Sequence, residues 1–211
     1  MKEQFCPLCN SKTNHLLTFR KKEYHKCNNC DAVFMLPDFF VSLETEKSRY
    51  ELHNDGSNDL GYLNFIKPIT DYVINNFDKQ DNGLDFGAGH SVVIANVLNE
   101  VSLNVKIYDP FFHNNKELLK EKYDYIIACE VIEHFHYPLK EFTLLYSLLN
   151  PHGKLIIMTD PLKETTNFSK WYYKNDETHV FFYSQKTFQF IQKTLDFKEL
   201  NINDRLIVFE K

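Results

Sequence analysis

Four cysteines near the start of the chain constrain its folding more than any other feature. They stand as Cys6-Pro7-Leu8-Cys9 and Cys27-Asn28-Asn29-Cys30, two C-x-x-C pairs with 17 residues between them. Each pair can turn tightly enough to present two thiolates from one knuckle, and two knuckles complete a tetrahedral shell of four sulfurs. Such a shell suits zinc, with iron as the competitor. It leaves no open position, so the metal it implies is structural. Four reduced, unliganded thiols would leave so short a segment almost no core. Metal binding then supplies folding free energy, on the order of 10 kcal/mol for small zinc modules. The same segment carries a basic cluster, Arg20-Lys21-Lys22 with Lys26 just beyond. That cluster is either a contact for phosphate or an ordinary solvated face.

The zinc ribbon read in this way occupies residues 1–36. A polar stretch, 37–65, reads as a linker and pocket lid, and a larger unit covers 66–211. The chain has 211 residues, 43% apolar and 25% charged, enough for one full core with a small appendage. Its formal net charge of −5 argues against a surface given over to nucleic acid, though one basic face remains open. No apolar run approaches the length of a membrane span. The first residues, Met1-Lys2-Glu3-Gln4-Phe5-Cys6, lack the apolar stretch of a secretory signal. The expected setting is cytoplasmic and reducing, where paired cysteines suggest metal before disulfides. The oligomeric state is left open.

From Tyr62 the pattern becomes helical, with Leu63, Ile66, Ile69, Val73 and Ile74 on one stripe. Short apolar strands then alternate with helices. Strands are predicted over 83–87, 103–108, 123–129, 155–158 and 205–209. Helices are predicted over 91–98, 138–149 and from 185 to about 194, the last entered through Ser184-Gln185-Lys186-Thr187. Such alternation indicates an α/β fold with a parallel, doubly wound, Rossmann-like sheet.

Leu84-Asp85-Phe86-Gly87-Ala88-Gly89-His90-Ser91 leaves a strand and enters a helix. Gly87 and Gly89 let the backbone turn sharply and approach a ligand, which the positive helix end then favours if it is anionic. Asp109 closes the next strand, 24 residues after Asp85, where a carboxylate can accept the hydroxyls of a ribose. A nicotinamide enzyme would more often show G-x-G-x-x-G, and here the third glycine position is Val92. No G-K-[ST] follows, so a kinase-type phosphate loop is absent.

This ordered set resembles the class I S-adenosylmethionine-dependent methyltransferases. Asp85 with Gly87-Ala88-Gly89 matches their first motif, and Asp109 matches the acid of their second. The stretch from Ala128 to Phe135 is similar to the motif after their fourth strand, and Leu149-Asn150-Pro151-His152-Gly153 resembles the turn before their fifth. The resemblance covers roughly residues 66 to 211. It implies that Gly87 to Gly89 approach the methionine portion of S-adenosylmethionine and that Asp109 binds its ribose. His90, Cys129 and Glu130 are then neighbours of the cofactor, although a lone cysteine ending a buried strand is usually a small apolar filler. Two departures stand out. His90-Ser91 replaces the third glycine of many members, and only 13 residues separate Asp109 from Tyr123. That gap is too short for the usual helix, strand and helix, so one strand of the sheet is expected to be missing. The adenine ring would need another wall, for which Pro110, Phe111 and Phe112 are the candidates.

Glu130, Glu133 and His134 follow the fourth strand at spacings that share one helical face. A very aromatic run, Trp171 to Tyr183, later brings His179. The pairing is similar to ubiquinone-pathway O-methyltransferases, which carry E-x-x-E-H and a later T-H. It is also similar to small-RNA 2′-O-methyltransferases, which hold magnesium through E-x-x-E-H and a later histidine. That second likeness implies a divalent cation at Glu130, Glu133, His134 and His179. The other reading is a pocket shaped by hydrogen bonds. The whole chain further resembles a bacterial family of methyltransferases with an N-terminal zinc ribbon, through Tyr50 to His53, Tyr108 to Phe112, Glu130 to Phe135 and Trp171 to Val180. That likeness makes Tyr50, His53, Trp171, Tyr172 and His179 candidates for the pocket rim.

The expected function is S-adenosylmethionine-dependent methylation, with an oxygen of a small molecule as acceptor. His134 or His179 would act as base, with Glu133 and Tyr172 beside them. The alternatives are an RNA base or ribose methyltransferase that uses the ribbon as its RNA grip, and a protein that binds the cofactor without catalysis.

Overall fold

The computed structural model describes residues 3–51 and 60–211. His53, expected at the pocket rim, and the Asp55-Gly56 turn lie outside the described residues. Among those described, no helix is long and apolar enough to cross a membrane.

The N-terminal module is a hairpin of β1 (Thr13–Phe19) and β2 (Lys22–Cys27), followed by β3 (Val33–Met35). Arg20 and Lys21 take φ of 47° and 68° in the hairpin loop, the left-handed pair that suits the twist of two flanking strands. Each cysteine knuckle is followed at once by a left-handed residue, Asn10 after Cys9 and Asp31 after Cys30. Asn and Asp tolerate that conformation better than other non-glycine residues, so the knuckle exits are written in the sequence.

Helix α1 (Leu43–Glu51) and helix α2 (Leu60–Asn76) come next. In α2 the residues buried against the sheet are Ile66, Ile69, Thr70 and Val73; of the predicted stripe, Leu63 is half-buried and Ile74 exposed, and Thr70 joins it unpredicted. The sheet itself comprises β4 (Asn82–Phe86), β5 (Asn104–Tyr108), β6 (Tyr123–Cys129), β7 (Leu149–Met158), β9 (Glu199–Asn203) and β10 (Leu206–Glu210), in the order β5-β4-β6-β7-β10-β9. Strands β5, β4, β6 and β7 run parallel, as expected. The last hairpin departs from the all-parallel expectation, because β10 runs antiparallel to both β7 and β9. A short return such as Asp204-Arg205 can join only antiparallel strands.

The connection from β5 to β6 holds a single 3₁₀ turn, Lys116–Lys120, and no strand. The expected shortening is therefore present, and β5 lies at the sheet's rim. Helices α2 and α3 (Val93–Glu100) pack on one face against Tyr125, Ile127 and Ile156. Helices α4 (Pro138–Leu148) and α5 (Gln185–Leu195) pack on the other, against Ile126, Ala128, Leu155 and Ile157. Neighbouring residues of β6 and β7 thus alternate between two cores, as the period of a strand buried on both faces requires. Helix α3 begins two residues later than predicted. Val92 takes φ of 47° and ends the glycine turn before helical geometry can start.

The sheet of the cysteine module takes its fourth strand from the other end of the chain. Strand β8 (Phe181–Phe182) pairs antiparallel with β3, giving the order β1-β2-β3-β8. Tyr24, Phe34 and Met35 of the module belong to the same buried cluster as Phe142, Phe188 and Phe209. Module and sheet domain therefore share one core.

Candidate active site

Strands β4, β5 and β6 end side by side, and their C-terminal loops enclose a cavity of about 1140 Å³. Gly87 and Gly89 shape one wall, with φ of 81° and 67°. Gly87 and Ala88 donate their N–H groups to Tyr108 O at 2.8 and 3.2 Å. A Cβ on Gly87 would meet Val131 at 2.5 Å, whereas one on Gly89 would meet nothing within 4 Å. The first glycine is thus demanded by packing, and the second keeps a wall clear.

Asp85 is 2% exposed at the end of β4. Burial, and then the nearby Asp109 carboxylate, push its pKa up to about 7. Asp109 lies in the cavity wall. It accepts from Gly89 N at 3.0 Å through Oδ2, and from Phe111 N at 2.8 Å and Phe112 N at 3.0 Å through Oδ1. A carboxylate has about four lone-pair sites. Three are taken by backbone, so one is left, enough for one of the two ribose hydroxyls expected at this residue. Pro110, Phe111 and Phe112 also face the cavity, and His90 meets the Phe112 ring edge-on at 5.6 Å. Cys129 lines the cavity as well, with its thiol held well above the usual range by burial and then by Glu130. A protonated thiol fits the filler reading.

The opposite wall comes from the turn after β6, from the aromatic run and from α1. Glu130 takes φ of 51°, an uncommon state for a glutamate, and its N–H is held by Met158 O at 2.8 Å. Its carboxylate accepts from Arg205 Nη2 at 2.8 Å and from the Tyr173 hydroxyl at 3.2 Å. Glu133 is fully buried, shares the single proton of the Tyr173 hydroxyl with Glu130, and accepts from Thr159 Oγ1 at 3.2 Å. Burial first, and then Glu130, raise its pKa well above the carboxylate range. Tyr173 is therefore the centre of the cluster. Tyr172, the tyrosine the sequence favoured, is 60% exposed at the rim and donates to Asp160 at 2.9 Å.

His134 Nδ1 lies 3.0 Å from Thr178 O, and His179 Nδ1 lies 2.7 Å from Tyr173 O. A carbonyl only accepts, so both Nδ1 atoms carry protons. The two rings meet edge-on at 4.8 Å, and His179 Nε2 is 4.0 Å from Glu133 Oε1. Glu133, His134 and His179 bring one ligand atom each to within 4.8 Å of one another. Glu130, the fourth expected member of that set, stands outside it, because Arg205 and Tyr173 hold its carboxylate. From α1, Glu46 is 7% exposed and accepts from the Tyr50 hydroxyl at 2.7 Å, and Arg49 pairs with Asp176 at 3.1 Å. Tyr50 meets His134 edge-on at 5.3 Å, which brings it to the pocket, whereas Trp171 donates to Asp160 at 3.3 Å. Sequence reasoning missed Thr159, Asp160, Arg205 and the part played by Tyr173.

The cysteine quartet closes as its spacing requires. Cys6 and Cys30 sulfurs are 3.7 Å apart, Cys9 and Cys27 sulfurs 3.3 Å, and all four lie within 4.8 Å of one another.

A Rossmann-like sheet with a glycine turn after its first strand and an acid after its second is an arrangement shared by dinucleotide-binding enzymes and class I, S-adenosylmethionine-dependent methyltransferases. The chain belongs to the methyltransferase-domain family, whose model matches residues 61–200. Solved structures share the fold. An S-adenosylmethionine-dependent methyltransferase from Archaeoglobus fulgidus aligns with a TM-score of 0.56 at 16% identity, over 70% of this chain and 94% of that one. An O-methyltransferase family protein from Burkholderia thailandensis aligns at 0.55 and 12%, over 78% of this chain and 61% of that one. Human N-acetylserotonin methyltransferase, solved with S-adenosylmethionine, aligns at 0.55 and 11%, over 81% and 60%. The chain thus spans about three fifths of the latter two proteins. No curated protein matches it in sequence.

Proposed function

We propose that the cavity binds S-adenosylmethionine with its methionine end at Gly87–Gly89 and that the enzyme transfers the methyl group to an oxygen of a small molecule. One observation carries this reading: the glycine turn and the two histidines of the Glu133–His134–His179 cluster line the same cavity. Methyl transfer is an in-line displacement. The acceptor oxygen forms a bond to the methyl carbon as the carbon–sulfur bond breaks, leaving S-adenosylhomocysteine, and the hydroxyl proton goes to a base. Most of the catalysis is alignment of the two partners. With Nδ1–H donated to a carbonyl, a neutral His134 or His179 carries its lone pair on Nε2, the atom a general base would use. Glu133, kept neutral by burial, is hydrogen-bonded to Tyr173 and Thr159 and supports that side of the cavity.

Two further assignments accompany this one. The four cysteines fit a structural zinc, since Zn–S bonds of about 2.3 Å in a tetrahedron set sulfurs about 3.8 Å apart. Glu133, His134 and His179 could also hold a divalent cation that lowers the pKa of the acceptor hydroxyl. The acid–base reading is preferred, because the Glu133 carboxylate already serves Tyr173 and Thr159.

Calorimetric titration with S-adenosylhomocysteine tests the main claim, and a folded sample that does not bind it refutes the claim. Hydroxylated small-molecule pools with labelled cofactor test the acceptor class. RNA retention that falls steeply with salt would favour the RNA alternative. Activity unaffected by magnesium or by chelation, with zinc still at the cysteines, would dismiss the catalytic cation.

A further inference from the structure

Residues 178–187 run between the cysteine module and the Glu133–His134 turn, and both sides fasten them. On the module side, Met35 donates its N–H to Val180 O at 2.8 Å. Strand β3 pairs with β8 through Val33–Phe182 and Phe34–Phe181, with the rings of Phe34 and Phe181 stacked at 6.2 Å. Thr187, in the first turn of α5, is fully buried and donates its hydroxyl to Cys30 O at 2.8 Å. On the site side, Val180 donates its N–H to Glu133 O at 2.9 Å, and Tyr183 donates its hydroxyl to Ile132 O at 2.8 Å. Thr178 O accepts from His134 Nδ1 at 3.0 Å. His179 sits within this doubly fastened stretch.

We propose that the cysteine module is a positioning part of the acceptor side of the active site, with Thr187 as its side-chain fastener. The proposal rests on the functional reading above. A segment fixed to β3 through β8 and to Cys30 through Thr187 of α5 has little freedom to slide. Any displacement of the second knuckle therefore passes through β8 to His179 and from there to His134. Displacements of that kind matter, because catalysis loses about 100-fold for a misplacement on the order of 1 Å. The cofactor side is fastened separately, through Gly87 and Ala88 to Tyr108 O and through Gly89 to Asp109. The module should thus govern the geometry of the histidines and leave cofactor affinity alone. Its link to the site is a chain of strand pairs and hydrogen bonds, and it does not touch the acceptor.

The test uses the full-length protein and two readouts. Nitrogen-15 imidazole spectra report whether His179 Nδ1 keeps its proton and its carbonyl partner. Calorimetry with S-adenosylhomocysteine reports the cofactor side. Thr187→Val keeps the shape and removes both the donor to Cys30 and the acceptor for Ser184 N in the capping box of α5, and Thr187→Ser retains both. In Thr187→Val the His179 signals are expected to shift or broaden, and Thr187→Ser is expected to restore them. S-adenosylhomocysteine affinity should stay within about twofold, the spread found for uncoupled sites. Phe34→Leu, which shrinks the stack on Phe181, should act in the same direction. Unchanged His179 signals in Thr187→Val would overturn the proposal. So would loss of fold and of cofactor binding together in both Thr187→Val and Phe34→Leu, since the contact would then be merely structural. If the wild type itself fails to bind S-adenosylhomocysteine, the functional reading falls, while the His179 spectra still decide the positioning role.

Discussion

Gly89 donates its backbone N–H to Asp109 at 3.0 Å, which joins the turn after β4 to the acid after β5. The two glycines of that turn have different duties, and alanine substitution should separate them. Gly87→Ala places a methyl 2.5 Å from Val131 in addition to forcing φ of 81° on a side chain. Overpacking of that kind costs about 1–3 kcal/mol. Gly89→Ala meets no neighbour, so its cost is the left-handed penalty of about 1–2 kcal/mol. Its methyl would stand in the cavity. Thermal melts should show the larger loss for Gly87→Ala, and calorimetry should show weaker S-adenosylhomocysteine binding by Gly89→Ala.

The buried Asp85 gives a pH signature. Its folded-state pKa, about 7, stands above the ordinary value of 3.8. An acid shifted this way holds its proton more tightly when folded. Its stabilising contribution is complete below about pH 4 and is lost as pH rises to about 7. Asp85→Asn cannot lose it. The difference in Tm between Asp85→Asn and wild type should therefore grow in the variant's favour from pH 4 to pH 7. A constant difference across that range would contradict the assignment.

Adjacent tyrosines should behave oppositely. Tyr173→Phe leaves the buried Glu133 and Thr159 without a shared partner, a change that costs about 1–3 kcal/mol. Tyr172→Phe removes a bond at an exposed rim, where substitutions usually stay within about 0.5 kcal/mol. Urea midpoints at unchanged m-value would distinguish them.

The cysteine quartet predicts its own metal count. Elemental analysis of the purified protein should return one zinc per chain. Cys30→Ser should lower both that count and the Tm, because metal binding is folding free energy in such modules. Glu133→Ala with His134→Ala should leave the count unchanged. A full loss of zinc from the double variant would place the metal elsewhere.

Much of the scaffold was legible because local pattern and final structure agree. Strand β6 spans Tyr123–Cys129 as predicted, and Ile66, Ile69 and Val73 of α2 meet the sheet as their spacing requires. Glu-Leu-Asn-Ile-Asn, the sequence of β9, has only two apolar residues, and its strand form depends on pairing with β10. The β3–β8 pair could not be read from local pattern, since it joins distant parts of the chain. In the site, the glycine turn, Asp109 and the Glu130–His134 run were visible as motifs. Tyr173 was not separable from Tyr172, because which of two neighbours turns inward is decided by the 3₁₀ turn at 172–175 that carries both. Arg205 reaches Glu130 only because the β9–β10 hairpin returns along β7, an antiparallel return that alternation of strands and helices does not announce.

The short link between β5 and β6 has a consequence at the edge of the sheet. A strand with one side unpaired is a template on which other chains can stack, and the first steps of aggregation use such templates. Lys106 occupies the middle of β5, and its ammonium is tied to Glu121 at the far end of the link. A charge in the middle of a rim strand disfavours pairing with a second strand. Replacing Lys106 with valine would leave the cavity as it is and turn the rim into an adhesive edge.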